Sequence, residues 1–190
     1  MRTNMYVELK IPDNIARTAL QTMKKMGFTN VVSLQRADFY SFQSDQDITE
    51  DLKTCDILVN QNKHRVCFKR KDLSKSSLAE QSSENITYVN TIIKNSNPPQ
   101  QLLSTLQNRL ELPINAVEEG VFWRFGFKTD TSEEEKENKE EKSDQEDPLI
   151  HFRKQTKAII EQLLYNPHYQ DYDIIEEGTK KNILVIFGSE

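Results

Sequence analysis

Apolar positions along the chain change their spacing several times, and each change marks a predicted element. Met5–Ile11 (MYVELKI) mixes apolar and polar residues over strand length, and Pro12 stops it. Asp13 stands where a helix N-cap belongs, because its carboxylate can accept from the free amides of a first turn. Ile15, Ala19, Met23 and Met26 then recur at three- and four-residue steps, with Ala16 and Leu20 widening the stripe. Lys24 and Lys25 complement a helix C-terminus, and Gly27 supplies a left-handed exit. Val31–Ala37 and Asp38–Phe42 read as two strands joined by a tight connection, the second rich in the aromatic residues that strands favour. Ile48–Asn60 reads as a second helix with Ile48, Leu52, Cys55 and Val59 inward, and Arg65–Lys69 alternates again as a closing strand. The predicted order is β-α-β-β-α-β.

The polar, serine-rich stretch that follows has the composition of a linker, assigned to residues 71–85. The same order then begins again. Ile86–Lys94 is a strand, and Asn97-Pro98 is a cap with proline at the first helical position. Leu102, Leu103, Leu106 and Leu110 form a helix stripe, and Ile114–Gly120 and Val121–Phe127 give paired strands. After an insert at residues 130–147, Pro148 opens a helix with Phe152, Thr156, Ile159, Ile160 and Leu163 on one face. Asn166-Pro167 stops that helix, and Asp171–Ile175 is a strand. An extra strand at 182–188 (NILVIFG) has no counterpart in the first half.

Two stretches of the halves can be laid over each other. Arg36–Phe42 lies over Glu119–Phe125, and Leu58-Val59-Asn60-Gln61 lies over Leu164-Tyr165-Asn166-Pro167. The expected fold is therefore α+β, with two tandem β-α-β-β-α-β units of ferredoxin-like element order, residues 1–70 and 86–190, paired as a pseudo-dimer.

Charge alters this picture in one place. Thirty acidic and 25 basic residues give −5, but residues 130–147 hold ten acids against three lysines and so carry −7. The rest of the chain is close to neutral. A near-neutral core with an acidic insert argues against a nucleic-acid partner, whose phosphates call for a basic surface. The insert itself has nothing apolar to bury. Two cysteines give no disulfide framework, and no apolar run reaches membrane-spanning or signal-peptide length. The expectation is a cytoplasmic protein with no membrane partner.

Candidate chemistry is sparse. His64 and Cys67, three apart on a predicted strand, point to opposite faces. His151 and His168 lie at the two ends of one helix, about 25 Å apart at the usual rise, and cannot share a metal. Five glycines in all include no phosphate-cradling loop, and Glu118-Glu119 read as solvated turn acids. No catalytic residue, cofactor or metal is assigned. The aromatic strands Phe39-Tyr40-Ser41-Phe42 and Phe122–Phe127 admit a second reading, since an RNA-recognition domain shares this element order and stacks bases on such rings. The alternative function is accordingly an RNA-binding module or a small-molecule-sensing regulatory domain.

A family resemblance favours another role. Leu163-Leu164-Tyr165-Asn166-Pro167, followed by Asp171-Tyr172-Asp173, resembles the ending of the PurS family, where a helix closes in Leu-Leu-x-Asn-Pro before an acidic-Tyr-acidic strand. Ala16, Ala19-Leu20, Met26-Gly27-Phe28 and Val31 are similar to the family's earlier pattern. The family's Arg-x-Gly-Lys departs here to Arg36-Ala37-Asp38 in one half and Glu119-Gly120-Val121 in the other, with the lysine missing twice. PurS is the small subunit of formylglycinamidine ribonucleotide synthase. The resemblance implies a non-catalytic assembly subunit of purine biosynthesis that bridges a PurQ-like glutaminase and a PurL-like synthetase for ammonia transfer, with further self-association open. The residues it assigns to interfaces are Arg36, Phe39, Tyr40, Asn60, Gly120, Phe122, Trp123, Asn166, Pro167 and Tyr172.

Overall fold

The computed structural model describes residues 1–73, 86–129 and 147–175, and it is α+β. The elements are β1 (Arg2–Leu9), α1 (Asn14–Lys25), β2 (Val31–Ser44), α2 (Thr49–Thr54), β3 (His64–Cys67), α3 (Arg70–Leu73), β4 (Ile86–Asn95), α4 (Gln100–Asn108), β5 (Ile114–Lys128), α5 (Pro148–Ile159) and β6 (Gln170–Ile175). A π-helical turn, Ile160–Leu164, extends α5, with the Tyr165 amide donating to the Ile160 carbonyl at 3.0 Å. The strands form one antiparallel sheet in the order β3-β1-β2-β5-β4-β6.

Each predicted pair of central strands is one long strand. The order within each half is thus β-α-β-α-β, which corrects the expected β-α-β-β-α-β. The reason lies in the neighbours. The β1 ladder covers β2 only from Asp38 onward, and the β4 ladder covers β5 only from Gly120 onward. Residues on either side of Asp38 or Gly120 therefore meet different surroundings, and their polarity pattern changes as if a strand had ended. The backbone does not turn there: β2 and β5 pair without a break from Leu34↔Phe125 through Asp38↔Val121 to Gln43↔Ala116.

Other boundaries move less. The second helix is short because Cys55 takes an extended ψ of 103°, its carbonyl receives the Leu58 and Val59 amides, and both side chains turn into the core. Residues 71–73 of the stretch assigned to the linker belong to α3, and Leu73, which closes it, is 1% exposed. Helix α4 begins at Gln100, with Pro99 at the cap and no side-chain capping bond, so Asn97 does not cap it. Residues 74–85, most of the acidic insert and the strand expected at 182–188 lie outside the described residues.

Other local signals hold. Asp13 Oδ1 accepts from the Ile15 and Ala16 amides at 2.7 and 3.1 Å, and Gly27 takes φ 97°. Asp13 also reaches Arg36 with its second oxygen at 3.5 Å. Asp13→Ala is expected to cost about 1 kcal/mol, the usual worth of a cap. Asp13→Asn should recover most of it in a denaturant titration.

One side of the sheet carries α1, α2, α4 and α5, and its core is divided in two. Met5, Val7, Phe42 and Val117 pack with Ile48, Leu52 and Leu106 of the α2–α4 end. Val31, Val89, Trp123, Phe125 and Phe127 pack with Ala16 and Met23 of α1 and Phe152 and Ile159 of α5. Each cluster draws on residues from both halves of the chain. On the opposite side a third cluster gathers Tyr6, Ala37, Phe39, Cys67, Leu73, Ile92 and Phe122.

The ladders of the two halves can be laid over each other. Tyr6 pairs Phe39 as Ile92 pairs Phe122, and Tyr6 pairs Cys67 as Ile92 pairs Asp173. From Cys67 to Asp173 is 106 residues, the spacing of Asn60 to Asn166. Beyond these ladders, the Lys10 amide donates to the Lys63 carbonyl at 2.8 Å, and the Ser96 amide to the Tyr169 carbonyl at 2.8 Å.

Candidate interaction surfaces

The seam between β2 and β5 changes polarity from one side of the sheet to the other. On the helix side its two ends are apolar, at Leu34/Phe125 and Phe42/Val117, and its middle carries Arg36, Asp38, Tyr40 and Glu119. Arg36 donates to Asp38 Oδ1 at 2.6 Å and Asn95 donates to Glu119 at 2.8 Å. This half-buried strip lies between the α1–α5 and α2–α4 packing. On the opposite side the middle is apolar. Phe39 and Phe122 both lie 5.4 Å from the Tyr6 ring, tilted and edge-on respectively.

Burial pushes the Tyr40 phenol up to about 12 from its ordinary 10, with Asp38 and Glu119 adding to the shift and Arg36 opposing it. The folded state therefore holds this proton more tightly than the unfolded chain. Its contribution to stability is complete below about pH 10 and is lost as pH rises to about 12. Tyr40→Phe is expected to lessen the fall of the urea midpoint across that window. Tyr6 and Tyr172, raised chiefly by burial, should leave a residual slope.

The two corners that precede β3 and β6 share one hydrogen-bond scheme. Asn60 Oδ1 accepts the Asn62 amide, its carbonyl accepts those of Lys63 and His64, and its own amide donates to His64 Nδ1. Asn166 Oδ1 accepts the His168 amide, its carbonyl accepts those of Tyr169 and Gln170, and its own amide donates to Gln170 Oε1. A side chain that accepts two residues on closes such a turn without help from the core. Ahead of the second corner, Leu163 and Leu164 border an open cleft of about 430 Å³ against Asn14, Ile15, Thr18, Ala19 and Thr22 of α1. Tyr165 meets Tyr172 edge-on at 5.1 Å, and Tyr172 donates to Glu161 at 2.8 Å.

The assigned residues thus occupy three places. Arg36 and Tyr40 belong to the polar strip, and Trp123 lies on the same side but buried under α1 and α5. Phe39, Gly120 and Phe122 sit on the opposite side of the seam, and Asn60, Asn166, Pro167 and Tyr172 form the two distant corners. Phe39, Phe122 and Trp123 are buried, so none presents a ring face on which a base could stack. Tyr6, the centre of the aromatic contacts, was not among the sequence candidates. Its place inside the alternating MYVELKI was the available signal.

His64 and Cys67 occupy opposite faces of β3, and burial raises the Cys67 thiol, which disfavours a reactive thiolate. Among the described residues, no group of three or more His, Cys, Asp or Glu could hold a metal ion. No helix among them is long and apolar enough to cross a membrane. Comparison with family models, curated proteins and solved structures finds no match to this chain.

Proposed function

We propose that this chain is a non-catalytic assembly subunit of formylglycinamidine ribonucleotide synthase, with two tandem copies of one α+β unit paired inside a single polypeptide. The observation that carries the pairing is the recurrence of the Asn60 corner at Asn166, at the same spacing as the ladders of β3 and β6. Read with the strand order β3-β1-β2-β5-β4-β6, this supports an internal two-fold near Asp38 and Val121. Fusion makes the pairing intramolecular, so it no longer depends on subunit concentration.

The partner assignment is supported by the PurS-like ending Leu163–Pro167 and Asp171-Tyr172-Asp173. Its residues form a corner at the rim, where another protein has access. In this role the chain tethers a PurQ-like glutaminase to a PurL-like synthetase and limits escape of ammonia between them, binding neither ATP nor glutamine itself. The test is co-purification of the tagged chain with both proteins, followed by assay of amidation driven by glutamine and by free ammonia. A ternary complex is expected, with glutamine-driven turnover dependent on the chain and ammonia-driven turnover largely indifferent to it. Absence of any complex, with the other two proteins fully active on glutamine alone, would refute the role.

A further inference from the structure

The two outer strands of the sheet differ in charge at equivalent positions. β3 carries Arg65 where β6 carries Asp171, and the flanking Lys63 and Lys69 add positive charge while Asp173 adds negative. Lys63, Arg65 and Lys69 are exposed and make no ion pair among the described residues. Asp171 and Asp173 are exposed too; one accepts the Ser96 hydroxyl at 3.0 Å and the other lies 3.3 Å from Lys94. Each carboxylate keeps acceptor capacity beyond that contact. Among the described residues, neither β3 nor β6 has a second strand neighbour.

We propose that these edges are complementary and join copies of this chain head to tail, β3 of one against β6 of the next. Strand direction permits it without any rotation. The six strands alternate in direction, so β3 and β6 run opposite ways, and a copy displaced along the sheet meets β6 antiparallel with its helices on the same side. In one register Arg65 faces Asp171 and Lys63 faces Asp173 on the side away from the helices, while His64 faces Tyr172 on the helix side. Charge also selects against the two-fold alternatives. β3 against β3 would oppose Arg65 and Lys63 to their own kind, and β6 against β6 would do so for the aspartates, both of which are destabilising across strands. A heterologous contact of this kind does not close on itself and adds copies one after another.

This inference goes beyond the assembly role and is tested on the full chain alone, with neither proposed partner present. Sedimentation at low salt should give a mass that grows with concentration through multiples of 22.2 kDa. At about 0.5 M salt it should fall toward the single-chain value, because exposed charge pairs are screened. K63E/R65E and D171K/D173K should each remain single chains, since each leaves two edges of like sign. Their equimolar mixture should associate again, as every contact between unlike variants is complementary. Should either reversal fail to give a wild-type melting curve, K63Q/R65Q is expected to weaken association by about tenfold without reversing charge. A wild type that stays at 22.2 kDa at low salt, reversals that associate as the wild type does, or a mixture that stays dissociated would each overturn the proposal. So would a mass that stops at two chains, which marks a two-fold contact.

Discussion

Phe122→Ala is expected to destabilise the fold by about 3–5 kcal/mol, the range for removing a buried aromatic ring. Phe122 is 2% exposed and lies at the middle of the seam, opposite Ala37 on β2 and Ile92 on β4. Its ring meets the edge of Tyr6 on β1, so one side chain links contacts across four neighbouring strands. The strands on either side are held by ladder bonds and cannot collapse into the space left, which keeps the cavity cost high. A denaturant titration should show a lower midpoint with little change in slope, and Phe122→Leu should recover part of the loss. A loss below about 1 kcal/mol would mean that the apolar middle of this face contributes little to holding the seam.

Gly120→Val should be at least as damaging, for the opposite reason. A Cβ at this position would lie 2.2 Å from the Ile93 carbonyl oxygen and 2.8 Å from the Lys94 Cα. Both atoms are backbone of β4, fixed in the ladder by the Lys94↔Gly120 pair, so relief requires the strands to separate. The expected cost is at least about 3 kcal/mol, at the upper end for forced overpacking. Gly126→Ala provides an internal control. There the closest atom, also at 2.2 Å, is the Ser33 hydroxyl oxygen, the end of a side chain that can rotate away. Thermal melts should therefore rank Gly120→Ala clearly below Gly126→Ala. Equal melting temperatures would show that β4 yields more readily than its ladder implies.

Sequence reading reached those features whose cause is local. Asp13 and Gly27 are dictated by the chemistry of a helix end, and the α5 stripe Phe152, Thr156, Ile159 by a single helical period. The long central strands were not legible, because the surroundings of β2 change at Asp38 through a partner some 30 residues upstream. The corner at Asn166 could be located from its motif and laid over Asn60 from the sequence, while the hydrogen-bond scheme the two corners share became evident only in the turns, since Gln61 replaces proline. The strip of Arg36, Asp38, Tyr40 and Glu119 escaped as a unit. Its members come from strands about 80 residues apart, and no periodicity within either strand reports their meeting.

The β2–β5 ladder has a consequence for how the chain reaches its native state. Val31 pairs Phe127, with 95 residues between them, so the centre of the sheet closes only after β5 has been made. Contacts at such separation slow folding, because the entropy of closing the loop is lost before the contact rewards it. During synthesis β1, β2 and β3 leave the ribosome before β5, and β2 then waits with one whole edge unsatisfied and its apolar face exposed. In that interval two nascent chains can each offer β2 to the other. Translation speed between Leu73 and Ile114 thus competes with encounter between neighbouring ribosomes, and slow decoding of this stretch should lower the yield of correctly paired protein.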